Sequence, residues 1–169
     1  MWNKPQKVLS TYAAAYNFAL DRLAARDHSS LELRDKLAAR GCPEELQDKV
    51  LAALQDHHFI NDERCAGAIV EAWRRKKYYG RQYLRLMMTK RQIPAAIISE
   101  KLAEVPEEEE KERALDLALQ QIPKLRRKYG ADIRKGMAAL SRMLAARGFN
   151  GSAVSGALRA YEGSDFFEE

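Results

Sequence analysis

A short helix-ending motif occurs three times in this sequence and limits the folds that the chain can adopt. Each copy has an apolar residue, a basic residue at the expected end of a helix, a turn and a second apolar residue. The copies align on Arg40, Arg91 and Arg147. A helical unit this small cannot bury its apolar stripe alone, so neighbouring units must stack. We therefore expect tandem three-helix repeats, three in number, stacked into an elongated, curved array.

Composition and apolar spacing predict helix along nearly the whole chain. Leu, Ala, Arg, Lys, Glu and Gln dominate, and no segment alternates apolar and polar residues for long enough to form a buried strand. Ser29 and Glu32 have the spacing of a capping box at a helix start, whereas Gly41 is a favoured residue just beyond a helix end. Pro43 suits the first turn of the next helix. The expected fold class is all-α.

Breaks in the helical pattern divide the chain into its repeats. We expect Gly80 to interrupt the first helix of the central repeat, and a further break near Pro123 and Gly130. Pro106 and the acidic run 107–110 are typical of a solvated linker or a helix start. The expected domains are an N-terminal repeat at 1–58, a central repeat with a basic face at 59–106 and a C-terminal repeat at 107–169.

The residue patterns needed for catalysis or metal binding are missing from the sequence. His57 and His58 are adjacent and would point about 100° apart on a helix, and no phosphate-binding glycine-rich loop is present. Cys42 and Cys65 fall at apolar positions, where we expect them to be buried packing residues. We therefore expect no catalytic residue, no metal site, no cofactor and no small-molecule substrate.

The sequence also disfavours membrane insertion and export. No run approaches the roughly 20 apolar residues that a membrane-spanning helix needs. The first residues lead into no signal-peptide core, and the 2 cysteines give no disulfide framework. The expected compartment is the cytoplasm, with no membrane partner.

Basic residues are concentrated in the second and third repeats, although the net charge of the chain is only +5. No acidic residue occurs between Glu71 and Glu100, and Asp132 is the only one between Lys124 and Arg147. Two basic stretches in adjacent repeats favour a functional surface. The candidate partner-binding or DNA-binding residues are Arg74, Arg75, Lys76, Lys77, Arg81, Arg85, Lys90, Arg91, Arg126, Arg127 and Lys128.

Tyr78, Tyr79 and Tyr83 are interleaved with the first basic stretch. If Gly80 only kinks the helix, residues 74, 77, 78, 81 and 85 can share one face. Such a stripe neutralises phosphates through Lys and Arg, while tyrosine rings stack on exposed bases. A solvated helix face would show the same run of charge, so that interpretation stays open beside the functional one.

Several strings resemble the RecX family of recombination regulators. The residues from Arg26 to Leu37 resemble the family's "R-x-x-S-x-x-E-L-x-x-K-L" start, and those from Phe59 to Ala66 its "G-[YL]-[IL]-[DN]-D-x-[RE]-[FY]-A" signature. The strings 127–130 and 144–149 are similar to the closing repeat. Three positions depart from the pattern, because His58 and Gln92 replace common glycines and Cys65 replaces the usual aromatic residue.

The resemblance implies a specific partner. RecX-like proteins are tandem three-helix repeats that bind RecA and lodge in the groove of the RecA–DNA filament. There they inhibit its ATPase, strand-exchange and co-protease activities, and so modulate recombination, DNA repair and the SOS response. By this resemblance the main electrostatic contacts would be Arg74, Arg75, Lys77, Arg81, Arg85 and Arg91, with Arg126, Arg127 and Lys128 second.

Two other functions fit the residues. One is a helical protein that binds single- or double-stranded DNA directly through its basic stripe, which salt would weaken steeply. The other is a helical adaptor for another protein. Turn residues raise a further local question, because Gln92 needs either a positive φ or a turn different from the one at Gly41.

Overall fold

The computed structural model describes residues 8–163, which form nine α-helices and no strand. The all-α prediction is confirmed for this part of the chain. The helices are Tyr12–Ala25 (α1), Ser30–Ala38 (α2), Glu44–Asp56 (α3), Asp62–Arg75 (α4), Arg81–Lys90 (α5), Ala95–Ala103 (α6), Glu107–Tyr129 (α7), Ile133–Ala146 (α8) and Gly151–Gly163 (α9).

The described residues divide into two compact units. Unit 1 contains 8–68 and 88–98, and unit 2 contains 69–87 and 99–163. The boundaries between the units fall inside α4, α5 and α6. The division into three repeats at 1–58, 59–106 and 107–169 stays a prediction, as does the curved array.

The core of unit 1 includes side chains from α2 and α3. Leu33, Leu37 and Leu54 are fully buried there. The capping box at the start of α2 is confirmed, because the Ser29 hydroxyl accepts the Glu32 N–H at 3.1 Å and the Glu32 carboxylate accepts the Ser29 N–H at 3.3 Å. Pro43 lies immediately before α3 and not within its first turn, so the predicted helix start was one residue too early.

The core of unit 2 is built on α7, against which α8 and α9 pack. The helix break predicted near Pro123 is wrong, because α7 continues to Tyr129. A proline removes one hydrogen bond to the preceding turn. Ile122 and Leu125, on either side of Pro123, pack in the core and hold the helix across that gap. The break predicted at Gly130 is confirmed, since α7 ends there with a φ of +53°.

The three predicted helix-ending motifs have the same backbone geometry. Gly41, Gln92 and Gly148 have φ values of +67°, +51° and +78°. The residue after each one donates its N–H to the carbonyl five residues before it, at 3.1, 3.1 and 3.3 Å. This bond closes a helix end by the Schellman pattern. Gln92 therefore adopts the same turn as Gly41, which answers the question that the sequence left open.

Candidate functional site

The first basic stretch ends one helix and forms the turn to the next. Arg74 and Arg75 are the last residues of α4, and exposed Lys76 and Lys77 follow them. We call residues 74–80 the basic turn. The chain leaves the helix after Arg75 and begins a new one at Arg81, so the helix interruption expected at Gly80 is confirmed. The condition for one shared face over residues 74 to 85, that Gly80 only kinks the helix, is not met.

Arg113 of α7 holds the basic turn by its backbone. Its guanidinium donates to the carbonyl oxygens of Arg74 at 3.1 Å, Lys77 at 3.4 Å and Trp73 at 3.5 Å. It also stacks 3.8 Å from the centre of the buried Trp73 ring and pairs with Glu109 at 3.2 Å. The last carbonyls of a helix lack intrahelical partners. Arg113 supplies a partner to the Arg74 carbonyl and a second one to the Trp73 carbonyl, which also accepts the Lys76 N–H at 2.9 Å. The lysine and arginine side chains of the turn stay outside.

A glycine pair fixes the far end of the basic turn. The N–H of Gly80 donates to the Arg147 carbonyl at 3.0 Å, and the N–H of Gln82 donates to the Gly148 carbonyl at 3.1 Å. The Trp73 indole donates to the Gly80 carbonyl at 3.1 Å. A Cβ on Gly80 would lie 2.2 Å from the Gly148 oxygen. This close approach leaves no room for a side chain at position 80.

Glu110 is a buried carboxylate beneath the start of α5. One oxygen accepts the backbone N–H groups of Arg81 at 3.0 Å and Asn150 at 3.2 Å, and the other accepts the Asn150 side-chain amide at 2.8 Å. The fully buried Glu110 corrects the expectation of an acidic run in solvent, because this member binds two helix starts. The Arg81 guanidinium donates to the Leu102 carbonyl at 2.6 Å, so this predicted contact residue also has a structural bond.

Two aromatic rings of the region lie beside two cations. The rings of Tyr79 and Tyr83 stack with centroids 4.1 Å apart. The Lys76 ammonium lies 5.9 and 5.5 Å from these two ring centres, and the Arg147 guanidinium lies 5.4 Å from that of Tyr79. Cations at this distance are attracted by the ring faces. The cluster offers both positive charge and aromatic surface to an anionic partner.

Arg91 lies in unit 1 and makes an ion pair there. Its Nε is 3.1 Å from an oxygen of Glu32, and Arg26 reaches the same oxygen at 3.0 Å. Burial raises the pKa of Glu32, but the hydrogen bonds from Arg26 and Arg91 outweigh burial and leave that pKa below its ordinary value. Arg91 also donates to the Asp27 carbonyl at 2.5 Å. Its neighbour Lys90 is exposed.

The second basic stretch lies near the end of α7. Arg126 donates to the Tyr161 carbonyl at 2.7 Å and lies 4.5 Å from the Tyr161 ring centre. Arg127 and Lys128 are exposed and, with Lys124, line an open hollow. Lys124 and Lys128 are four residues apart and share a helix face.

The structure separates the predicted residues by their surroundings. Arg81, Arg91 and Arg126 hold backbone carbonyls within their own units, so their charges are partly engaged. Sequence reasoning missed Arg113 and Glu110, whose only signal was a place within a mixed-charge helix start. The exposed members are Arg74, Arg75, Lys76, Lys77, Arg85, Lys90, Arg127 and Lys128.

The cysteines predicted to be buried are buried, since Cys42 and Cys65 are 5% and 2% exposed. Burial raises the pKa of both thiols, which lowers the fraction of reactive thiolate. Residues 8–163 contain no group of three or more His, Cys, Asp or Glu side chains placed to hold a metal ion. No helix in this part of the chain is long and apolar enough to cross a membrane.

Known proteins are similar to this chain in sequence and in fold. Residues 15–54 match the family model described as RecX, first three-helix domain. "Regulatory protein RecX" of Deinococcus radiodurans is 33% identical over 142 residues, which are 84% of this chain and 65% of the relative. The protein of the same name from Streptomyces lividans is 32% identical over 123 residues, or 70% and 62% of the two chains. The chain thus spans just under two thirds of the length of these relatives.

Two crystal structures have the same fold. RecX from Lactobacillus salivarius gives a TM-score of 0.78 at 22% identity, over 89% of this chain and 96% of that one. A second structure, of a regulatory protein RecX, gives 0.73 at 24% identity over 85% and 71%. Together with the family model and the sequence relatives, this shared helical fold leads to one conclusion. In both sequence and fold, the chain is similar to the RecX family of regulatory proteins.

Proposed function

We propose that this chain is a regulatory protein of the cytoplasm that binds RecA and the RecA–DNA filament. It inhibits the filament's ATPase, strand-exchange and co-protease activities by binding, without catalysing a reaction itself. Similarity to relatives that are named regulatory proteins supports this proposal. The observation that carries it is the basic turn, in which Arg75, Lys76 and Lys77 are exposed while Arg113 holds the backbone carbonyls of Arg74 and Lys77.

The fixed backbone matters for the affinity of such a contact. A flexible run of lysines must lose conformational freedom when it meets a partner, whereas a preordered run loses less. Arg113, Trp73 and Gly80 order the basic turn before any partner arrives. Its exposed cations can then meet the acidic groove of the filament or the phosphates of the bound DNA.

The test is RecA ATPase activity on single-stranded DNA in the presence of substoichiometric amounts of this protein. We expect inhibition at less than one molecule per RecA, because one bound regulator affects neighbouring protomers of a filament. An ATPase rate that stays unchanged up to an equimolar ratio would contradict the proposal. A pull-down that recovers an unrelated protein, while RecA ATPase activity stays unchanged, would favour the adaptor alternative.

Direct nucleic-acid binding is the second candidate, and the cluster of Lys76, Tyr79 and Tyr83 favours it. Binding through phosphates weakens by about 0.9 log units per tenfold rise in salt for each contact on duplex DNA. We expect the protein to bind RecA filaments more tightly than bare single- or double-stranded DNA at physiological salt. Equal affinities would favour direct DNA binding over filament regulation.

A further inference from the structure

The outer face of α7 carries an apolar surface that the basic turn does not use. Leu115 and Leu119 are 39% and 55% exposed and lie four residues apart, on one face of the helix. Exposed Pro123 follows after four more residues and continues the same line. We call Leu115, Leu119 and Pro123 the apolar stripe.

Two carboxylates lie beside the apolar stripe. Glu112 and Asp116 are exposed on the same side of α7. Within residues 8–163, the side chains of Glu112 and Asp116 form no ion pair or hydrogen bond. Glu108, one turn earlier, is paired with Lys111 at 2.9 Å. Carboxylates repel a phosphate backbone, so this face is unsuited to nucleic acid, in contrast to the basic turn.

The basic turn is attached to another side of α7. Gln120 donates to the Tyr78 hydroxyl, and Arg113 holds the carbonyl oxygens of the turn. Around the helix, Gln120 points about 100° away from Leu119 and about 140° away from Leu115, while Pro123 lies nearer, at about 60°. The apolar stripe and the basic turn can therefore contact different components of one assembly at the same time.

We propose that the apolar stripe binds the protein component of the filament, at a surface where apolar side chains are flanked by Lys or Arg. This inference rests on the proposed function and assigns separate tasks to two faces of unit 2. Apolar contact supplies affinity that does not depend on salt, and Glu112 and Asp116 select a basic surround. The basic turn supplies the salt-dependent contact.

The first test removes the apolar contact. The variant Leu115→Ser/Leu119→Ser is titrated against RecA filaments on single-stranded DNA and against the bare strand. We expect roughly tenfold weaker filament binding, as for loss of a central apolar contact, with the same salt dependence and unchanged binding to bare DNA. Leu31→Ser is the control, because Leu31 is 45% exposed on α2 of unit 1. Helical circular dichroism of each variant should match that of the unmodified chain.

The second test reverses the acidic flank. Glu112→Lys/Asp116→Lys should weaken filament binding if the stripe meets a basic protein surface, and should strengthen it if the stripe meets DNA. Strengthened binding would overturn the inference. So would a Leu115→Ser/Leu119→Ser variant that binds filaments within twofold of the unmodified chain, and in that case the proposed function would stand. Failure of the unmodified chain to bind filaments at all would overturn both.

Discussion

Gly80 and Gly148 approach each other through their backbones so closely that a Cβ on Gly80 would lie 2.2 Å from the carbonyl oxygen of Gly148. The contact joins the start of α5 to the end of α8 within unit 2. This contact fixes where the basic turn ends, because no side chain fits between the backbone at Gly80 and the backbone at Gly148. The position of the exposed cations therefore depends on two residues that carry no charge.

We expect Gly80→Ala to destabilise the protein by about 2 kcal/mol or more, since backbone and not a flexible side chain must move to admit the methyl group. Urea denaturation measures the change. Gly156→Ala is the matched control in α9, where a Cβ meets nothing within 4 Å. This control should be more stable by about 0.5–1 kcal/mol, because alanine is the better helix former. A Gly80→Ala variant as stable as the control would contradict the packing described here.

Arg113→Lys tests how the basic turn is held. Lysine keeps the positive charge but cannot donate to several carbonyl oxygens in one plane or stack as closely on Trp73. We expect a loss of about 1–2 kcal/mol in stability. Hydrogen exchange should speed up at the amides of 74–80 and remain unchanged in α2. Unchanged exchange in the basic turn would show that Arg113 does not order it.

Gln92→Gly tests the positive φ shared by the three helix ends. At a φ of +51° a residue with a Cβ is strained, and glycine is not. We expect the variant to gain about 0.5–1 kcal/mol, even though it loses the hydrogen bond from Gln92 to Asp35 at 2.7 Å. Gln92→Ala separates the two effects, because it loses the hydrogen bond and keeps the strain. A glycine variant no more stable than the alanine variant would contradict the strain.

The lowered pKa of Glu32 predicts how stability changes with acid. A carboxyl whose pKa is lower in the folded state stabilises the fold above its ordinary pKa of 4.5, and this contribution is lost as pH falls through the folded value. Burial lowers the pKa of His28, so acid also destabilises the fold through this residue below 6.5. Acid therefore lowers the free energy of unfolding through both Glu32 and His28.

Glu32→Gln should therefore reduce the free energy of unfolding by about 2 kcal/mol at neutral pH. This loss is smaller than the loss from breaking a fully buried ion pair, because Arg26 and Arg91 are partly exposed. Below pH 4.5 its stability should fall less steeply than that of the unmodified chain. Thermal denaturation between pH 3 and pH 7 measures both. Parallel curves for the two proteins would show that Glu32 is not the titrating group.

The sequence predicted local structure correctly where a residue's role depends on its near neighbours. The capping box of Ser29 and Glu32 and the turns at Gly41 and Gly148 follow from such spacing, and the structure contains them. Pro123 was misleading, because packing on both sides of it outweighs one missing hydrogen bond.

The surroundings of the basic residues depend on contacts between distant segments. Arg91 lies 59 residues from Glu32, and Arg113 lies 39 residues from Arg74. No spacing rule connects such pairs, so the sequence could mark basic residues as a set without separating exposed ones from engaged ones. The buried position of Glu110 was hidden for the same reason.

The central claim is that the basic turn mediates regulation of RecA, and a charge-reversal experiment tests it most directly. Arg75→Glu/Lys77→Glu leaves Arg74 in place, because Arg74 pairs with Glu71 at 3.0 Å within the fold. The control Lys49→Glu/Arg159→Glu makes the same change of charge at exposed positions of α3 and α9.

The measurement is the concentration of protein that halves RecA ATPase activity on single-stranded DNA. We predict that the unmodified chain and the control are equally potent, and that Arg75→Glu/Lys77→Glu is at least about tenfold weaker with its helical circular dichroism intact. Equal potency of all three proteins would contradict the assignment of the basic turn.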